Sequence, residues 1–243
     1  MTWLNLKHRR PRRFCIAALT LSAAALTVTV PAAATRESSP ATSIETLEEP
    51  PLQQYRAYRR MHAHSEKLHQ EGWLEAWTEL DGRTFRYEIV LERGSETVRN
   101  RVLRALLKRE QEIIALDDPN RAELSASNYS FAEQTTGPGV RYVNIKPKRK
   151  DALLVDGRMV LSEDGRELLR VEGVLSKNPS FWTSLVNVIR HYARLDGVRV
   201  PIATESIAKV KIAGTSRLSV EYEYESINGR PVSTAARSLV ASR

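Results

Sequence analysis

Strict two-residue alternation near the C-terminal end constrains this chain more than any other feature. Between Arg217 and Ile227, Leu218, Val220, Tyr222 and Tyr224 fall on one side and Ser219, Glu221, Glu223 and Glu225 on the other. Successive strand side chains point to opposite faces, so the segment predicts a strand with one buried face and one acidic, wet face, the habit of an antiparallel sheet. From Tyr129 onward, further candidate strands are Tyr129–Gln134, Val140–Lys146, Ala152–Val155, Met159–Ser162, Glu167–Leu175, Ser184–Arg194 and Val198–Ile212. Chain-reversing residues stand between them: Gly137-Pro138-Gly139, Asp156-Gly157, Asp164-Gly165, Asp196-Gly197 and Gly214. The inner set of Val198–Ile212 includes Thr204, Ser206 and Ala208, small side chains suited either to close helix packing or to a hollow.

Upstream, the spacing predicts a helix from Leu52 to about Gln70, with Leu52, Tyr55, Tyr58, His62, Ser65 and Leu68 recurring three or four residues apart. Two strands follow, Trp73–Leu80 and Thr84–Glu92, joined at the hairpin dipeptide Asp81-Gly82. Phe85, Tyr87, Ile89 and Leu91 share a face of the second. Another helix runs from Ser95, its N-cap, to about Ala115, with Val98, Val102, Ala105, Leu106 and Ile113 as its buried stripe. Arg101, Arg104, Lys108 and Glu112 lie opposite, while Arg109 falls by phase inside the apolar arc. About ten amphipathic strands with two helices predict an α+β, mainly antiparallel β domain. The expected form is a single strongly curved sheet, a half-open β-barrel, with both helices on its concave face.

The formal charge of +8 is concentrated at the start of the chain: residues 1–34 hold five Lys/Arg and no Asp or Glu. Subtracting those five from the 37 basic residues leaves 32 against 29 acidic ones, too even a balance for a nucleic-acid binder. Those 34 residues read as a cleaved export signal, with a basic start, an uncharged run from Phe14 to Val30, and Pro31-Ala32-Ala33-Ala34 before a cut between Ala34 and Thr35. The alternative is a retained anchor, since 17 uncharged residues are just long enough to span a bilayer. The one cysteine, Cys15, opens the apolar run and so cannot be an acylated cleavage-site residue, and the mature chain has no thiol for a disulfide or thiolate metal site. Residues 35–50, rich in Ser, Thr, Glu and Pro, read as a flexible linker, 51–230 as the folded domain and 231–243 as a C-terminal tail.

Several stretches resemble an uncharacterised bacterial branch of the periplasmic lipoprotein-carrier (LolA-like) superfamily. They are Val143-Asn144-Ile145-Lys146-Pro147, Leu154-Val155-Asp156-Gly157, Leu169-Arg170-Val171-Glu172-Gly173, Lys177-Asn178-Pro179-Ser180-Phe181-Trp182 and Tyr222-Glu223-Tyr224. The resemblance covers about residues 50–230, and it implies a half-barrel whose apolar interior takes acyl chains under mobile helices. The implied function is outer-membrane lipoprotein sorting or lipid binding in the periplasm of a Gram-negative envelope. The chain would act as a monomer, touch membranes only transiently and need no cofactor. It lacks a recognisable carrier motif, and the family has no catalytic motif to carry over.

Candidate cavity-lining residues are Phe85, Tyr87, Ile89, Leu91, Arg109, Leu169, Val171, Tyr222 and Tyr224, each of which is also an acceptable ordinary core or snorkelling side chain. His62, Glu66 and His69 could share a helical face, but their spacing is not that of a metalloprotease helix, and no metal site is expected. No nucleophile elbow or phosphate-binding glycine loop occurs, so no enzyme activity is expected. Lys146-Pro147-Lys148-Arg149-Lys150 reads as a charged hairpin tip or a contact for anionic headgroups. Trp73 and Trp77 share a face with Glu75 and Glu79, either as an exposed patch or covered by the first helix. The alternative function is an envelope-stress or assembly module that binds a protein partner through that patch or a sheet edge, without lipid.

Overall fold

The computed structural model describes residues 50–116, 119–181, 183–211 and 213–241. The export segment, its expected cut and the linker up to residue 49 lie outside them. Eleven strands form one antiparallel sheet: β1 Gln54–Ser65, β2 Gln70–Asp81, β3 Thr84–Gly94, β4 Tyr129–Gly137, β5 Val140–Pro147, β6 Val155–Ser162, β7 Leu168–Leu175, β8 Thr183–Leu195, β9 Val198–Val210, β10 Gly214–Ile227 and β11 Arg230–Pro231. Their order is β3-β2-β1-β10-β9-β8-β7-β6-β5-β4, with β11 paired to β10. Because β3 and β4 end the sequence of strands without pairing each other, the sheet is open.

Among the described residues two α-helices accompany it, besides a single 3-10 turn at Pro119–Ala122. The first, α1, is continuous over Glu96–Val98, a π-type segment Arg99–Leu103 and Arg104–Ala115; the second, α2, is Thr234–Ala241. No helix among the described residues is long and apolar enough to cross a membrane. The predicted tail 231–243 therefore holds α2. Its start is fixed by Ser233, whose backbone N–H and Oγ both donate to the Asp196 carboxylate at 2.8 Å.

The helix expected over 52–70 is instead strand β1. Its inward residues, Tyr55, Ala57, Arg59, Met61, Ala63 and Ser65, recur every second position and all are buried. Arg59 occupies the central inward position, so a charge interrupts the apolar series and leaves a weak three-to-four-residue spacing as the visible pattern. Asp156-Gly157, expected as a turn, lies within β6, where Gly157 pairs with Gly173 of β7. Residues 152–154 precede the strand. The other Asp-Gly dipeptides, at 81–82, 164–165 and 196–197, stand at hairpin ends as expected.

The junction between β3 and α1 depends on Gly94, whose φ of 81° is left-handed and whose added Cβ would lie 2.4 Å from the Glu71 carbonyl oxygen. Just before it, Glu92 faces α1 and accepts from Arg104 Nε at 2.8 Å, with Arg99 beside it at 3.5 Å. The hydrogen bond from Arg104 holds the Glu92 carboxyl below its ordinary value of 4.5. A depressed folded-state value means that this contribution is present above about pH 4.5 and is lost as pH falls through the lowered value. The urea midpoint should accordingly drop on acidification from about pH 6 to about pH 3, and E92Q should flatten that part of the profile.

Candidate functional site

The face of the sheet that α1 covers is lined by β1, β2, β3, β9 and β10, and its centre is ionic. Arg59 and Glu110 of α1 are each 1 % exposed and form a two-pronged pair, Nη1 to Oε2 at 2.6 Å and Nη2 to Oε1 at 3.0 Å. The guanidinium also donates to the Tyr55 hydroxyl and lies 4.8 Å from the ring centre of Tyr222 and 5.2 Å from that of Phe85. Burial disfavours the Arg59 charge, but the Glu110 carboxylate together with the Tyr55 and Tyr222 hydroxyls outweighs it and keeps the group protonated. Burial also raises the Tyr55, Tyr222 and Tyr224 hydroxyls, so they are neutral.

A second guanidinium enters this interior from β8. Arg190 lies opposite Val171 of β7 and Thr204 of β9, both buried. It is half-buried and donates to the Tyr192 hydroxyl at 3.4 Å, and its charge also acts on Tyr222 and Tyr129. The Tyr129 oxygen accepts the Val155 N–H at 3.1 Å, so its own proton is free to donate.

Beside the first turns of α1 lies an apolar hollow of about 70 Å3. Val98 and Val102 cover it from the helix, Ala208 and Ser206 floor it from β9, and Ala63 and Leu218 close it from β1 and β10. The small-residue row of β9 therefore leaves space. The Ser206 hydroxyl is buried with no hydrogen-bond partner among the described residues. Gly72 of β2 admits the helix on the other flank, since a Cβ there would meet Val98 Cγ1 at 3.1 Å.

On the outer side, a cleft of about 980 Å3 opens where β9 and β10 part. Their pairing ends at Glu221↔Ala203, and beyond it the Tyr224 hydroxyl donates to the Pro201 carbonyl at 2.9 Å. Arg60, Arg170, His191, Glu221, Glu223 and Arg237 give this cleft a mixed-charge lining.

The predicted lining residues divide accordingly. Phe85, Val171, Tyr222 and Tyr224 are buried core, while Tyr87 and Ile89 are half-buried against it. Leu169 lines the outer cleft with Tyr222 and Tyr224. Leu91 is a correction: the β2–β3 pairing skips Val90 between Glu75↔Leu91 and Ala76↔Ile89, and this bulge puts Leu91 on the outer face, 39 % exposed. Arg109 is another: it is exposed and paired with Glu112 at 3.1 Å. The buried face of α1 runs through Val98, Leu103, Leu106, Leu107 and Glu110, so Val98 and Leu106 are buried as predicted, while at the level of Arg109 the inward member is the acid Glu110.

Other groups weighed from the sequence are not brought together. His62 stacks on Trp73 at 4.6 Å on the outer face, Glu66 pairs with Arg217 at 3.1 Å, and His69 sits in the β1–β2 turn. Trp77 packs edge-on against Tyr58 at 5.1 Å and under Arg56, so the two tryptophans stand half-buried in a strand-borne array, and the segment expected to cover them as a helix is itself strand β1. In the basic run, Arg149 donates to the Arg121 carbonyl at 2.8 Å and Lys148 to that of Ala126, so it holds the 121–128 loop against the end of β5. Sequence reasoning missed Arg59, Glu110 and Arg190. For Arg190 a signal was available, since it follows Val186 and Val188 at alternate positions of a predicted strand.

No protein-family profile and no curated protein matches the chain. A solved structure of a DUF1329 family protein from Desulfovibrio piger ATCC 29098 is similar to it at 12 % identity, over 74 % of this chain and 85 % of that one, with a TM-score of 0.32.

Proposed function

We propose that the chain is an exported periplasmic carrier or binding protein of the LolA-like kind, holding a lipid acyl chain or lipoprotein anchor between α1 and the sheet. In this reading the sheet curves into a half-open barrel with α1 on its concave side, residues 1–34 are removed on export, and the monomer performs no chemistry. The observation that carries it is the apolar hollow under Val98 and Val102. Each methylene buried there contributes about 0.8 kcal/mol, so a chain of ten or more carbons needs no specific polar contact to be held. At about 70 Å3 the hollow is smaller than the roughly 150 Å3 apolar cavity that takes up benzene, so α1 must shift to admit a chain. The π segment Arg99–Leu103 lies at this point of the helix, and such segments are frequently found at functional sites.

Native mass spectrometry of the exported protein, isolated from an envelope fraction without detergent, tests the reading. Its mass should match cleavage between Ala34 and Thr35 and carry an adduct that extraction resolves into phospholipid or acylated peptide. A208L should fill the hollow with about three extra carbons, abolish the adduct and leave the melting temperature within a few degrees of the parent or above it. A bare mass after incubation with envelope lipids would overturn acyl binding. It would turn attention to a protein partner, for which Val90 and Leu91, 53 % and 39 % exposed on the free edge strand β3, are the favouring observation.

A further inference from the structure

The charges around Tyr222 do not balance. Arg59, Glu110 and Arg190 all act on its hydroxyl, and the one carboxylate among them is committed to Arg59 through both of its oxygens. Arg190 has no carboxylate partner among the described residues; its one hydrogen bond is the 3.4 Å contact to Tyr192. A guanidinium partly withdrawn from water without a counter-charge is unfavourable, and arginine is the side chain best shaped for two-pronged binding of carboxylate or phosphate. The neighbouring hydroxyls suit the same guest. Tyr192 accepts from Arg190 and Tyr129 accepts from Val155 N–H, so each retains a proton to donate, and burial keeps Tyr129 protonated.

We infer that Arg190 binds an oxyanion, the carboxylate or phosphate head of an amphiphile whose tail enters the α1 hollow. This rests on the acyl-binding reading above and adds the headgroup class to it. The strand register supports the arrangement. Arg190 pairs with Thr204, and Val188 pairs with Ser206, one inward step nearer the hollow. Inward residues two apart on a strand are separated by about 6.8 Å, so head and tail positions follow one another along β9 from Thr204 through Ser206 to Ala208. The partnerless Ser206 hydroxyl lies on this path and is suited to donate to an ester or acid oxygen.

The test uses the delipidated exported protein and three probes in titration calorimetry: dodecanoate, dodecanol and inorganic phosphate. Parent protein should bind dodecanoate at least tenfold more tightly than dodecanol. R190M should erase that preference while keeping dodecanol affinity, and its melting temperature should equal or exceed that of the parent, a result a merely structural arginine would not give. Equal affinity for the two amphiphiles in the parent, or a preference that survives in R190M, would overturn the Arg190 assignment and leave acyl binding intact. Phosphate binding that R190M abolishes, with neither amphiphile bound, would keep the oxyanion site and overturn the carrier reading. Binding of none of the three would overturn both.

Discussion

Replacing Glu110 with Ala should lower the unfolding free energy by about 3–5 kcal/mol, because Arg59 would be left charged and unpaired in the interior. The loss would far exceed that of removing an exposed partner such as Glu112 from Arg109, where solvent screens the pair and about 0–1 kcal/mol is expected. The origin of the large number is the stranded charge, since an intact buried pair recovers little beyond its own desolvation. The double variant R59M/E110L should therefore recover most of the loss or even exceed the parent. Urea denaturation of the three proteins checks this, and an E110A loss below about 1 kcal/mol would mean that water reaches Arg59 and that the pair is not dry.

G157A should be nearly as damaging, by about 3 kcal/mol, although it adds one methyl group. Gly157 and Gly173 face each other across β6 and β7. A Cβ on Gly157 would lie 2.1 Å from the Glu172 carbonyl oxygen and 2.6 Å from Gly173 Cα; one on Gly173 would lie 2.3 Å from the Asp156 carbonyl oxygen. These obstacles are backbone, so relief requires the two strands to separate. Gly197 is the control. It has a φ of 88° and open space around its Cβ position, so G197A should show only the left-handed penalty of about 1–2 kcal/mol. Hydrogen exchange should place the G157A damage in β6 and β7 and spare β1 and β2.

Where side-chain burial followed polarity, the fold was legible. The alternation in β10, that in β3 as far as Ile89, and most of the apolar stripe of α1 rest on apolar residues facing in, and those elements fall close to their predicted places. It failed where an inward position carries a charge. Arg59 hid the period of β1, and Glu110 shifted the apparent inner face of α1 by one residue onto Arg109. Glycine misled for a related reason: beside an aspartate it signals a turn, whereas at Gly157 it lets two strands approach closely. The site suffered most, because its distinguishing residues are these same charges, and their partners are 51 positions apart in the case of Arg59 and Glu110. Only the small-residue row Thr204, Ser206 and Ala208 announced the hollow in advance.

The strand order sets a timetable for assembly. From β4 to β10 each strand pairs with its successor, so every such contact is available as soon as the next hairpin has been made. The join between β1 and β10 is the exception: Tyr55 meets Ile227 and Ser65 meets Ser216 across most of the folded chain. The β1–β3 unit with α1 must wait with one long edge unpaired until residues 214–227 arrive. During synthesis, that waiting edge is an aggregation hazard. Closing the β1–β10 seam would be the late, slow event, and a chain that stops short of Gly214 would have nothing to cover it.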